Sequence, residues 1–309
     1  MKTIKKLSSL ALSMVLAVGL FAGCAPTENK EGANEGAKET KKIGMVLSTL
    51  NNPFFVSMKE GAQKKADELG YELVVLDSKD DATTERANVE DLVQQGVSVL
   101  MINPTDSDAV GNSIMVANDS NIPVITVDRG ANSGEVVSHI ASDNTAGGKL
   151  AAEYMLELLG GKGKLVELQG IPGASATRER GAGFHSVVDG KDGVEVVASQ
   201  PADFDRQKGL NVMENIIQAN PDFNGVFAHN DEMALGAIQA ISTANKDVVV
   251  IGFDGTDDAV KAVEDGTMAA TVAQQPDLMG SLAVENAVKL IKGETIEESI
   301  PVDLKLIKK

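Results

Sequence analysis

Amide and aromatic side chains stand together in the segment STLNNPFF, residues 48–55, at the end of an apolar strand-like run at 43–48. Amides both donate and accept hydrogen bonds, and flat rings cover C–H groups, so Asn52 with Phe54 and Phe55 suits a sugar. The same residues also have a purely structural explanation. An asparagine can cap the helix that Pro53 begins, and the phenylalanines can fill a core.

Other polar side chains follow further predicted strands at their carboxyl ends, where ligands bind in open α/β sheets. They are Asn103, Asp128, Arg129, Asn230, Asp254 and Gln274. Carboxylates accept hydrogen bonds from hydroxyls, and arginine donates in a fixed fork, so together they could hold a sugar in one cleft. Asp128 beside Arg129 could instead be a surface ion pair. Phe204 and Phe253 also fall at strand ends, whereas Phe184, Phe223 and Phe227 are expected in the core.

Apolar segments alternate with amphipathic ones from residue 42 onward, which predicts parallel sheets covered by helices on both faces. The first set of strands is 43–48, 72–77, 97–102, 123–128 and 136–141, with helices near 53–69, 83–95, 106–120 and 143–159. The second set is 164–169, 194–199, 225–229, 248–253 and 269–274, with helices near 175–189, 206–219, 231–243, 256–265 and 277–292. The chain is therefore expected to build two similar lobes.

A last helix and a predicted strand at 301–307 exceed the count of the second lobe, so we expect the chain to return to the first lobe near Gln275 and Pro276. The expected domains are 42–142 with 276–303 for the N-terminal lobe, and 143–275 with 304–309 for the C-terminal lobe. Several crossings between two lobes make a hinge with a cleft.

The front of the chain has the layout of a bacterial lipoprotein precursor. Residues 1–23 begin with Lys2, Lys5 and Lys6 and continue with an apolar run too short to span a bilayer, which indicates a secretory signal. Ala22 and Gly23 precede Cys24, the only cysteine of the chain, which we expect to be lipidated. Residues 24–41 are poor in apolar side chains and are expected to form a flexible tether. The membrane would then be reached through the lipid anchor alone.

The charge of the chain restricts its partners. Lys and Arg total 28 against 45 Asp and Glu, a net charge of −17, and loss of the three lysines of the leader makes it −20. Such a surface repels phosphate backbones, so nucleic acid is not an expected partner.

Nine segments together resemble the type I periplasmic binding proteins of bacterial ABC sugar importers, and within them the ribose-binding members. They are STLNNPFF, INPTDSDAV (102–110), PVITVDR (123–129), HIASDN (139–144), RERGAGF (178–184), QPADFDR (200–206), NDEMALGA (230–237), VIGFDG (250–255) and PVDLKLI (301–307). The resemblance covers the chain from about Lys42 to its end. It implies two Rossmann-like lobes with parallel sheets, a three-segment hinge and one sugar in the cleft.

Carried over by matching segments, the resemblance implies thirteen ligand-binding residues. They are Ser48, Asn52, Phe54, Phe55, Asn103, Asp128, Arg129, Arg180, Phe204, Asn230, Phe253, Asp254 and Gln274. It also implies D-ribose as ligand, an ABC permease as partner and a monomer without cofactor.

Several alternatives remain open at this point. The ligand could be allose, xylose or a furanose signal molecule, and the closed protein could signal to a chemoreceptor or sensor kinase. A sugar-responsive repressor core would need a basic helix-turn-helix where the signal stands. The sequence has no Walker A segment, no nucleophile elbow and no metal-ligand spacing among His139, His185 and His229, so we expect no enzyme and no metal site.

Overall fold

The fold was analysed in a computed structural model that describes residues 41–309. The predicted leader, Cys24 and almost all of the tether lie outside the described residues. The strands are β1 Lys42–Leu47, β2 Glu72–Asp77, β3 Val99–Ile102, β4 Val124–Val127, β5 Ser138–Ala141, β6 Gly163–Gln169, β7 Val194–Pro201, β8 Gly225–Ala228, β9 Val249–Asp254, β10 Ala270–Ala273, β11 Ser299–Pro301 and β12 Lys305–Lys308. The helices are α1 Pro53–Leu69, α2 Ala82–Gln94, α3 Val110–Asp119, α4 Asn144–Leu158, α5 Ser175–Val188, α6 Arg206–Ala219, α7 Asp231–Thr243, α8 Asp257–Asp265 and α9 Pro276–Ile291.

Two sheets of similar strand order form the two lobes. The first has the order β11-β5-β4-β3-β1-β2, and the second has the order β12-β10-β9-β8-β6-β7. All pairings are parallel except that of β10 with β12. Strands such as β3 and β4 are buried along their whole length, as expected for sheets covered on both faces. The predicted two-lobe parallel α/β architecture is confirmed.

The chain passes between the lobes at three places within the described residues. It crosses after β5, because α4 packs on the second sheet, and returns after β10, because α9 packs against α1 and the first sheet. The third crossing lies between β11 and β12, at Val302–Leu304. The single strand predicted at 301–307 is therefore wrong. Two short strands replace it, and each adds to the edge of a different sheet.

The helix predicted to begin near residue 106 begins at Val110 instead. The carboxylate of Asp106 accepts hydrogen bonds from the backbone N–H groups of Asp108 and Ala109 at 2.9 and 2.8 Å. These contacts have the pattern of a helix cap, and the turn at 107–109 leads into α3, with the N–H of Val110 donating to the carbonyl of Asp106 at 3.1 Å.

Side-chain caps fix where the helices that face the cleft begin. Asn52 accepts from the N–H of Phe54 at 2.9 Å, with Pro53 as the first residue of α1. Asn230 accepts from the N–H of Met233 at 2.9 Å at the start of α7. Both asparagines lie at strand-to-helix turns at the carboxyl edge of their sheets, so capping brings their amide groups to the cleft.

Candidate functional site

A narrow cavity lies between the lobes at the carboxyl ends of the two sheets. Both lobes contribute to its lining, which consists of Asn52, Phe54, Phe55, Asp128, Arg129, Ala176, Arg180, Phe204, Asn230 and Asp254. All of these except Ala176 were predicted from the sequence.

Three phenylalanines form the apolar walls. Phe54 and Phe55 lie edge to face, with ring centroids 5.1 Å apart and an interplanar angle of 89°. Phe204 comes from the second lobe, and its backbone has a φ of 60°. Such walls can cover the C–H faces of a sugar ring from both lobes.

Arg129 joins the two lobes through its guanidinium group. The guanidinium carbon lies 5.1 Å from the centroid of Phe55 and 5.0 Å from that of Phe204. Nη1 donates to the carbonyl of Pro104 at 3.3 Å, whereas Nε has no hydrogen-bond partner among residues 41–309. Burial lowers the pKa of Arg129, although the nearby carboxylate of Asp128 opposes this. A buried N–H without a partner is costly, so Nε is a candidate donor to a ligand.

Asp128 lies directly beyond β4 in a left-handed backbone conformation, with a φ of 65°. Its Oδ2 accepts from Asn103 Nδ2 at 3.1 Å, and its Oδ1 has no partner in the described part of the chain. Burial raises the pKa of Asp128, against the lowering effect of Arg129 and Arg180. Oδ1 is therefore a buried acceptor that a ligand hydroxyl could satisfy.

Arg180 is the corresponding cation of the second lobe. Its Nε donates to Asn144 Oδ1 at 2.8 Å, and its Nη1 donates to the carbonyl of His229 at 2.6 Å. Nη1 also lies 3.6 Å from Asp254 Oδ1. These contacts fix the fork of Arg180 from behind and leave the rest of the guanidinium group for the cavity.

Asp254 ends β9 with a φ of 124°, a conformation that side chains other than glycine rarely adopt. Gln274 Nε2 donates to its Oδ1 at 2.9 Å. Burial raises the pKa of Asp254 well above its ordinary value, and Arg180 opposes that rise. Positive φ at Asp128, Phe204 and Asp254 shows that the loops around the cavity hold unusual backbone conformations.

Four predicted ligand residues lie behind the cavity rather than on its lining. They are Ser48, Asn103, Phe253 and Gln274. Asn103 accepts from the N–H of Ser48 at 3.4 Å and donates to the carbonyl of Val127 and to Asp128, so it joins three strand ends. Gln274 orients Asp254 in a similar way. The sequence placed these residues at the right edge of the sheets, but it could not distinguish lining from support.

Sequence reasoning missed Ala176, Asn144 and His229 as parts of this site. Ala176 carries no chemical signal. Asn144 and His229 lie within or beside segments that the sequence analysis named, HIASDN and NDEMALGA, but their contacts with Arg180 depend on how α4, α5 and β8 pack.

Two carboxylates and two guanidinium groups balance in the cavity. Asp128 and Arg129 come from the first lobe, and Asp254 and Arg180 from the second. An uncharged ligand with many hydroxyls keeps this balance, whereas a charged ligand would leave a buried charge without a partner.

Among residues 41–309, no helix has the length and apolar character needed to cross a membrane.

Comparison with known proteins gave consistent matches. A family model described as periplasmic binding protein domain matches residues 43–295. The ribose import binding protein RbsB of Escherichia coli K12 is 60% identical over 278 residues, which cover 90% of this chain and 93% of that protein.

Two solved structures resemble the fold closely. A solute-binding protein of an ABC transporter from Mycobacterium smegmatis with bound glycerol has a TM-score of 0.84 and 37% identity, covering 87% of this chain and 94% of that one. A periplasmic solute-binding protein from Actinobacillus succinogenes with bound D-allose has a TM-score of 0.82 and 31% identity, covering 87% and 98%.

Proposed function

The chain belongs to the periplasmic binding protein domain family, and we propose that it is the extracytoplasmic component of an ABC importer that captures D-ribose. The observation that carries the proposal is the charge-balanced cavity, which offers hydroxyl-binding groups between phenylalanine walls. Its polar groups come from both lobes.

Both lobes touch the ligand in the closed arrangement, which gives a mechanism for capture. A sugar bound between Asp128 with Arg129 and Arg180 with Asp254 contacts four groups at once, whereas in an opened cleft it would contact those of one lobe. The ligand therefore favours closure by its differential affinity for the two states. The moving units are 42–142 with 276–303, and 143–275 with 304–309, hinged at the three crossings.

The ligand contacts of this proposal are the lining residues, with Ser48, Asn103, Phe253 and Gln274 as their support. The closed protein then delivers the sugar to a permease. The acidic surface would meet basic patches on that partner, and docking that does not respond to salt would contradict this.

Titration calorimetry of the full chain in mild detergent tests the proposal, with D-ribose, D-allose, xylose, arabinose and galactose in parallel. Tight one-to-one binding of ribose alone is the expected result. D-allose is the second candidate, since a structural relative holds that sugar. Tighter binding of allose would replace the substrate and keep the mechanism, and no sugar binding would overturn the proposal.

Lipidation of Cys24 is a separate part of the proposal, supported by the small residues before it and the short apolar run of the leader. Metabolic labelling with a radioactive fatty acid should mark the chain and leave a Cys24→Ser variant unmarked. Equal labelling of the two would contradict the anchor.

A further inference from the structure

A further buried carboxylate, Glu167, lies on β6 and does not line the cavity. Its side chain is completely buried. Oε1 lies 2.9 Å from Nε2 of His229, and Oε2 accepts from Gln169 Nε2 at 3.0 Å and from the hydroxyl of Ser199. His185 Nε2 lies 3.3 Å from Oε2. Burial alone would raise the pKa of Glu167, but the hydrogen bonds from His229 and Ser199 outweigh it and lower the pKa to about 2.

The ring of His229 has a single orientation in this arrangement. The ring is completely buried, and burial lowers its pKa, whereas the carboxylate of Glu167 opposes this shift. Nε2 faces the carboxylate, while Nδ1 has no partner among the described residues. The proton therefore lies on Nε2, which donates to Glu167.

Glu167 is linked to both residues that form one hydrogen bond of the binding site, to one through its ring and to the other through its helix. The carbonyl of His229 accepts from Nη1 of Arg180 at 2.6 Å. Arg180 lies on α5, the same helix as His185. Glu167 therefore holds the acceptor residue through the ring of His229 and the donor helix through His185.

Close packing adds to this connection at Gly181, the neighbour of Arg180. A Cβ at position 181 would lie 3.3 Å from Glu167 Oε1 and 3.4 Å from Cε1 of His229. The backbone beside Arg180 thus rests directly on the pair of Glu167 and His229. A larger residue there would press on both.

We propose that Glu167 is a positioning residue for the sugar. By fixing His229 and α5, Glu167 holds the guanidinium group of Arg180 and the peptide group between His229 and Asn230. Arg180 and Asn230 both line the cavity. A stabilising role alone explains Glu167 poorly, because apolar residues often replace a buried ionic group without loss of stability. This inference rests on the proposed function.

A double-mutant cycle on ribose affinity tests the proposal, with the full chain titrated by calorimetry. Glu167→Gln can no longer accept all its donors, and we expect ribose affinity to fall about tenfold or more. In an Arg180→Lys background, the same change should cost less than about threefold, since its effect passes through Arg180. Ile216→Val, a buried change in the same lobe, is the control and should leave affinity unchanged in either background.

The proposal would be overturned if Glu167→Gln bound ribose within about twofold of the unsubstituted protein. It would also be overturned if the change cost the same affinity in the unsubstituted and Arg180→Lys backgrounds. If the unsubstituted protein itself does not bind ribose, the proposed function fails instead, so the two failures are distinguishable.

A second pair of variants keeps the test valid if Glu167→Gln does not fold. His229→Gln can place an amide N–H near the position of Nε2 and should stay within about threefold of the unsubstituted protein. His229→Leu keeps the backbone carbonyl but loses the contact with Glu167, and its ribose affinity should fall about tenfold. Equal affinities of these two variants would contradict the role of the Glu167 contact.

Discussion

The guanidinium carbon of Arg180 lies 3.8 Å from the centroid of the Phe253 ring. The ring is completely buried in a core that it shares with Phe184 and Phe227. Its position at the end of a strand predicted a ligand contact, and in the structure the ring lies beneath the guanidinium group of Arg180. We therefore expect Phe253 to affect sugar binding through Arg180.

Replacing Phe253 by leucine should weaken ribose binding by up to about thirtyfold, since a cation over an aromatic face in a dry site contributes roughly 2 kcal/mol. The loss of buried ring surface should also lower the free energy of unfolding. Calorimetric titration measures the first effect, and urea unfolding measures the second.

Phe184→Leu is the matched control for this change. Phe184 is equally buried and stacks on Phe227 at 5.0 Å, but no arginine among residues 41–309 lies over it. It should lose a similar amount of stability and keep its ribose affinity. If both variants bind ribose alike, Phe253 does not act through Arg180.

Asp128 allows charge and backbone conformation to be separated. Asparagine adopts a φ of 65° at least as readily as aspartate, whereas alanine does not. Asp128→Asn should weaken ribose binding at least about tenfold, because hydrogen bonds to a charged group contribute roughly 1.5–3 kcal/mol. Its free energy of unfolding should stay closer to that of the unsubstituted protein than the value for Asp128→Ala.

Ribose affinity that is unchanged in a folded Asp128→Asn protein would remove the carboxylate from the site. Equal unfolding free energies of the asparagine and alanine variants would show that the left-handed backbone costs little here.

The sequence predicted the strands and the cleft because both depend on local signals. Apolar runs of five or six residues mark buried parallel strands, and the polar residues that follow them lie at the binding edge. Asn52 shows the limit of this reasoning, since capping and lining the cavity were weighed as alternatives and the residue does both. Its amide oxygen caps α1, and its amide N–H groups remain available to the cleft.

Longer-range packing decided the features that the sequence could not predict. PVDLKLI has the composition of one strand, but Pro301 and Leu304 flank a crossing between two sheets. Asn144 and His229, which accept hydrogen bonds from Arg180, lie 36 and 49 positions from it in the sequence. Hydrophobic periodicity in the sequence does not predict contacts between residues so far apart.

Asn144 should be needed for ribose binding although it does not line the cavity. Its Oδ1 accepts from Arg180 Nε at 2.8 Å, and its Nδ2 donates to Glu179 at 2.9 Å. Asn144→Ala removes the acceptor and should weaken ribose binding about tenfold. Calorimetric titration of the variant measures the effect.

Asn118→Ala provides the comparison, because this amide also makes two hydrogen bonds, both to the backbone of Glu135 in the first lobe. Its ribose affinity should be unchanged. A similar loss of affinity in the two variants would indicate a general effect on stability rather than the loss of support for Arg180.

Glu85 should make the stability of the protein depend on pH. Its side chain is buried, and Oε2 accepts from the N–H of Thr105, in the loop after β3, at 2.7 Å. Burial raises the pKa of Glu85 from 4.5 to about 7, although the hydrogen bonds from Thr105 and the charge of Arg129 oppose the rise. The folded protein therefore binds this proton more tightly than the unfolded chain does.

Because of that difference, the contribution of Glu85 to stability is fully present below pH 4.5 and is lost as the pH rises through about 7. The loss amounts to roughly 3 kcal/mol between pH 4 and 8. Glu85→Gln cannot ionise, while its amide oxygen can still accept from Thr105. Urea unfolding at several pH values measures the free energy of unfolding of both proteins. The stability of the unsubstituted protein relative to Glu85→Gln should fall by roughly 3 kcal/mol between pH 4 and 8. A difference that stays constant with pH would show that Glu85 titrates normally in the folded protein.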